Sequence, residues 1–195
     1  MSSAATLDRL AARVLEEGPP LAVAGGGSDH GSSPLGELVA AGPRTGDRGD
    51  EYAFVVEAVR EGYLCLYGSP RVLEAVDPDL SLLAGDLFYA IGIRGLADLD
   101  DLESTGVLSD LIRVAADLQA ADRSDLAEVL WLGQLVALAC GKDEEHDATV
   151  KALEARESGA AEALIDWCTR TVATNELGRE FDNAQNAIDS RPSNF

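Results

Sequence analysis

Apolar positions in this 195-residue chain recur at three- and four-residue spacing almost throughout, and no β-branched run is longer than Val55-Val56. That period is the signature of one helix face, so the chain reads as all-α. The expected organisation is a single helical bundle over residues 50–190, preceded over residues 1–49 by one helix and an irregular Gly/Ser/Pro-rich N-terminal arm. The first helix is expected from Thr6, its N-cap, through Leu7, Leu10, Val14 and Leu15, with Gly18-Pro19-Pro20 as its stop. From Gly25 to Gly49 the composition predicts a loop or flexible arm, broken by the short apolar segment Leu35 to Val39.

Helical order resumes at Asp50, where Tyr52, Val55, Val56, Val59, Tyr63 and Leu66 make one apolar face, and Gly68 ends it. Two proline starts follow: Ser69-Pro70 for a short helical segment through Val72 and Leu73, and Asp77-Pro78 for a longer one from Leu80 to Leu96. Leu108, Leu111, Ile112, Ala115 and Leu118 form the next face, with Gly106 weakening the start of that helix. Ser124 is placed to cap a helix whose second half, Val129 to Cys140, is apolar almost all round, which assigns it to the centre of the bundle. A charged helix is expected from Asp143 to Arg156, another after Ser158 carrying Leu164, Ile165 and Trp167, and a last segment near Phe181 to Ile188.

Charge adds a statement about solvent. Thirty-five acids face fifteen bases, only Lys142 and Lys151 of the bases are lysines, and the net charge is −20. The acids lie in ones, twos and threes, as in Glu16-Glu17, Asp98 to Glu103 and Asp143 to Glu145, rather than in a tail. Such self-repulsion opposes compaction at low salt, and it is screened when the Debye length falls to about 3 Å at molar salt. The reading is a halophilic cytoplasm. Nucleic acid is excluded as a partner, because no Lys/Arg cluster exists to displace counterions from phosphate. No run of eighteen apolar residues suggests a membrane span, and Met1 to Leu10 lacks a basic region followed by an apolar one, so a cytoplasmic location is expected.

Candidate chemistry is sparse. Cys65, Cys140 and Cys168 are odd in number, widely spaced and set among apolar neighbours, which predicts buried free thiols. Gly25-Gly26-Gly27 is not followed by the Lys-Ser or Lys-Thr of a phosphate loop and reads as linker. His30 and His146, more than a hundred residues apart, read as solvated surface residues. Asp98, Asp100, Asp101 and Glu103 could converge on a hard cation but lack calcium-loop spacing, so they read as a solvated turn. No nucleophile–base pair is recognisable, and neither a catalytic residue, a metal site nor a cofactor is expected.

The segment Asp77 to Gly92, with Leu83-Ala84-Gly85-Asp86 at its centre, resembles the cavity-lining helix of the trans-isoprenyl diphosphate synthase superfamily. The nearest likeness is to the non-catalytic small subunit of two-component heptaprenyl diphosphate synthases, over about Tyr63 to Ala121. Active members carry two aspartate-rich, magnesium-holding motifs. Here Tyr63 to Pro70 contains no aspartate, and the C-terminal part offers only the isolated Asp166 and the separated Asp182 and Asp189. The resemblance therefore implies a catalytically silent relative that pairs with a protein partner or forms a homo-oligomer. An alternative is a binding module whose pocket, lined by Tyr63, Asp86, Tyr89 and Leu111, accepts a lipid-like or polyprenyl ligand. An enzyme-specific chaperone is a further alternative. The packing account of the same motif has Ala84 and Gly85 permitting close helix contact, Asp86 bonding locally, and Phe88 and Tyr89 filling core.

Overall fold

The structure is a computed structural model that describes residues 3–24, 32–74 and 77–189. Nine α-helices lie among these residues: α1 (Ser3–Glu17), α2 (Pro34–Ala40), α3 (Gly49–Tyr67), α4 (Pro78–Leu99), α5 (Leu102–Ala120), α6 (Ser124–Cys140), α7 (Glu144–Glu154), α8 (Ala160–Thr174) and α9 (Gly178–Asp189). The all-α bundle read from the apolar periodicity is the observed fold. Gly25 to Gly27 and His30 lie outside the described residues.

Helix α3 divides two apolar cores. On one side Leu7, Leu10 and Val14 of α1 meet Ala58 and Cys65 of α3 and Ala84 and Phe88 of α4. On the other, Val55, Val56, Val59 and Tyr63 join α2, α5, α6, α8 and α9 around Trp131, Leu135 and Leu138. The sequence suggests one apolar face on α3, but the helix is buried nearly all round, Glu57, Arg60 and Glu61 included. Burying charge is tolerable only when it is paired and hydrogen-bonded, and the segment after α3 provides for this.

That segment differs from its expected form. Ser69-Pro70 opens no helix: the chain bends at Arg71 and Val72, and Leu73 forms an isolated antiparallel bridge with Val23. Ala24 donates its backbone N–H to the Val72 carbonyl and Glu74 donates to that of Ala22. The Glu61 carboxylate takes the N–H groups of Arg71 (2.8 Å) and Val72 (3.1 Å), and the Glu74 N–H, which a helix from Pro70 would direct to the Pro70 carbonyl, goes to Ala22 instead. Arg71 then bridges Glu61 and Glu57, and Glu57 accepts the N–H of Gly36 at 2.8 Å. One buried cluster thus ties α2, α3 and the crossing segment together.

Leu35 to Val39, expected within a loop, form α2 with Leu35, Leu38 and Val39 fully buried, so this part of the arm belongs to the core. Helix α1 begins at Ser3 rather than Thr6, which is buried in its body. Neither Ser124 nor Ser158 caps: Arg123 precedes α6 without a side-chain cap, and Gly159, at φ 82°, precedes α8. The apolar stretch Val129 to Cys140 lies at the bundle centre as its composition predicts, with Leu135, Val136, Leu138 and Ala139 inaccessible.

Helix α4 starts as expected, with the Asp77 carboxylate accepting the N–H groups of Asp79 and Leu80, both at 3.1 Å. It lies along α3 at a close approach set by two glycines. A Cβ on Gly62 would stand 2.8 Å from the Tyr89 ring and 3.0 Å from the Gly85 carbonyl oxygen.

Candidate functional site

Of the four residues expected to line a pocket, Tyr63 and Leu111 lie in the larger core and Tyr89 packs half-buried against it. The Tyr63 ring stands 5.4 Å from Trp131 and 5.2 Å from Tyr67, and its hydroxyl accepts from Gln119. Burial raises the Tyr63 and Tyr89 phenols above their ordinary range, so both are neutral. Asp86 does not join them: it is exposed on the far side of α4. In the Leu83 to Asp86 motif, Ala84 is buried and Gly85 meets α3, whereas Leu83 and Asp86 face outward.

The acidic turn between α4 and α5 is a structural joint. Asp101 caps α5 by accepting the Ser104 N–H at 3.0 Å, and its carboxylate also takes the Ser104 hydroxyl, the Tyr52 hydroxyl and Arg44 (3.0 Å). Although burial acts to raise the Asp101 pKa, these donors hold it well below the usual carboxylate range. With its lone pairs taken, it has little to offer a cation. No group of three potential metal ligands gathers among the described residues.

The thiols are similarly quiet. Burial pushes Cys65 and Cys168 up to about 12 and Cys140 up to about 11, so none is a thiolate at neutral pH. Cys65 and Cys168 are buried as expected, and Cys140 is half-buried.

His146 departs from its expected solvated setting, being only 2% exposed. Its ring lies 4.7 Å from that of Trp167, whose indole N–H is received by Asp143 at 3.1 Å. The missed signal is spacing: His146, Val150 and Leu153 occupy one inward face of α7. Burial lowers the His146 pKa against the pull of Asp147, whose carboxylate stands 3.4 Å from Nδ1. A neutral ring with its proton on Nδ1 leaves Nε2 as an acceptor.

That nitrogen and the buried Gln134 Oε1 have no hydrogen-bond partner among the described residues, and both residues line a cleft of about 370 Å³ between α5, α6 and α7. Lys142 and Lys151, the chain's only lysines, line it with Arg113. Lys142 pairs with Asp147 at 3.0 Å, and Arg113 pairs with Glu154. No serine, threonine or cysteine is present in the lining, and the cleft provides acceptors and charge.

The other notable surface is the outer face of α4. Leu82, Leu83 and Ile93 are 57%, 65% and 49% exposed, and Ala90 and Ala97 lie exposed on the same side. Among the described residues α4 is the one helix long and apolar enough to cross a bilayer, with a mean hydropathy of 1.4 over its most apolar window, of which 28% is buried. Comparison with family models, curated proteins and solved structures finds no match to this chain.

Proposed function

We propose that this chain is a non-catalytic interaction subunit of a saline cytoplasm and docks through the outer face of α4. The observation that carries this reading is the combination of a 22-residue apolar helix with Leu82, Leu83 and Ile93 left half or more exposed. Exposed apolar side chains gathered on one helix face mark a binding face, whereas leucines scattered singly do not. Protonated thiols, a saturated Asp101 and a cleft lined without serine, threonine or cysteine support a non-catalytic role. The dispersed net charge of −20 supports the saline setting. The isoprenoid link rests on the Leu83 to Asp86 resemblance alone and adds nothing to the docking argument.

The test is native cross-linking with mass spectrometry in the protein's own lysate at molar KCl, comparing wild type with Leu83→Ser/Ile93→Ser. A discrete assembly that the double variant loses supports docking through α4. Wild type that stays monomeric, both pure and in lysate, overturns it.

A second reading is favoured by the paired acceptors His146 Nε2 and Gln134 Oε1: the α5–α7 cleft takes a small polar ligand bearing N–H or O–H donors. Its charged lining suits such a ligand better than a prenyl chain. Nitrogen NMR of the His146 ring during titration with a primary amine and with a polyol tests this. Movement of the Nε2 signal alone supports the reading, and an unmoved signal removes it.

A further inference from the structure

Resting on the docking role of α4, we infer that its occupant is a second copy of the same helix, packed antiparallel across a two-fold axis at Ala90. Self-pairing through a two-fold requires that residue i face residue j and j face i. With the axis at Ala90, positions equidistant from it in sequence meet. Leu83 then lies against Ala97 of the second copy, Leu87 against Ile93, and Ala90 against Ala90. Leu83, Ala90, Ile93 and Ala97 are exposed and Leu87 is half-buried, so all five are available at the surface. The small residue falls at the crossing point, where the two backbones come closest, and the larger ones flank it.

Charge selects this register. Asp86 and Arg94 are exposed, lie four residues either side of Ala90, and form no ion pair among the described residues. They stand about 12 Å apart along their own helix, too far to pair with each other. The two-fold places each against its opposite on the second copy, giving two intermolecular ion pairs within the seam, flanked by Leu87 and Ile93. Arg94 has Asp98 one turn further along its own helix, and both border a groove of about 400 Å³ beside α1 that also contains Arg13 and Glu17. Arg13 already pairs with Glu16 and Glu17 there, and Asp98 and Arg94 form no pair. A parallel arrangement would instead set Asp86 against Asp86 and Arg94 against Arg94, which the like charges disfavour. Total charge opposes the dimer at low salt, so its population rises with KCl as the long-range repulsion is screened, while the pairs within the seam are screened less.

The experiment is sedimentation equilibrium of the intact purified chain at moderate and molar KCl, using wild type, Asp86→Arg, Arg94→Asp and the double charge swap. All substitutions are on the surface, so circular dichroism serves to confirm that each variant is folded. The expected result is a wild-type dimer, about thirtyfold weaker in each single reversal, and restored in the double swap because both pairs re-form with inverted polarity. A monomeric wild type, or a dimer indifferent to all three variants, overturns self-pairing. So does binding of monomer to anionic or zwitterionic lipid vesicles in a Leu83-dependent manner, which assigns the face to lipid. The docking role itself fails only if the lysate cross-linking also finds no α4-dependent assembly, so the two failures are separable.

Discussion

Helices α6 and α4 carry similar sequence signals and meet opposite fates. Both are predominantly apolar, although α4 carries Asp86, Arg94 and Asp98 on its exposed side. The second half of α6 is enclosed by neighbouring helices, with Leu130, Leu135, Val136, Leu138 and Ala139 inaccessible to solvent. Helix α4 is covered mainly by α3, and its outer face keeps Leu82, Leu83 and Ile93 exposed. A helix apolar all round satisfies itself only when surrounded. The chain meets that requirement for α6 within one protomer and leaves it open for α4, which is the physical basis for assigning α4 an external partner.

Substitutions should separate the two helices by energy and by readout. The largest effect is expected for Trp131→Ala in α6. Trp131 is 1% exposed, with the Arg60 guanidinium 4.7 Å from its ring and Tyr63 against its edge. Truncation removes a large buried ring and leaves a cavity, costing about 3–5 kcal/mol in chemical denaturation. A loss below about 1 kcal/mol would show that α6 is less well packed than its burial implies.

The inner face of α4 should respond next. Gly62→Ala places a methyl against the Tyr89 ring and within 3.0 Å of the Gly85 carbonyl oxygen. Helix propensity favours alanine by about 1 kcal/mol, but the overpacking costs about 1–3 kcal/mol because backbone as well as side chain must yield. Net destabilisation with faster amide exchange in α4 is expected. A stabilised variant would mean that α4 is loosely held and free to move from α3.

The polar edge of α6 gives a pH test. Gln134 shares the cleft with His146, whose burial lowers its pKa in the folded state. The unfolded chain therefore binds the proton more readily. The neutral His146 contributes its stability fully above the ordinary imidazole value near 6.5, and that stability is lost as pH falls through the window from about 6.5 to the lower folded pKa. His146→Phe should flatten the fall in stability over this window while retaining the ring against Trp167. An unchanged slope would assign the pH dependence to other groups.

Legibility followed the same division. Periodicity, the Asp77-Pro78 start and the apolar run of α6 are local signals, and the helices they indicate are present. Ser69-Pro70 is equally helix-like locally, yet the Glu74 N–H and the Val72 carbonyl pair with Ala22 and Ala24, residues from before α2. The burial of Glu57 and Glu61 was not legible because it depends on Arg71 and Gly36 arriving from opposite directions in the sequence. His146 was legible in principle from its spacing to Val150 and Leu153, but the surrounding acids Glu144, Glu145 and Asp147 dominate that segment. Exposure on α4 could not be read from composition, since a covered and an uncovered apolar face have the same residues.

The smallest effect on stability should come from Leu83→Ser. Leu83 is 65% exposed in the single protomer, and surface substitutions of this kind alter stability by about 0.5 kcal/mol or less. Its neighbour Ala84 is fully buried one position along the same helix, and Ala84→Leu must displace core around Phe88. The pair therefore gives an internal control: Ala84→Leu should lower the unfolding midpoint, and Leu83→Ser should leave it unchanged in dilute protein while abolishing assembly. If Leu83→Ser also unfolds the dilute protein, the residue serves packing within the protomer, and the contrast between an enclosed α6 and an uncovered α4 no longer holds.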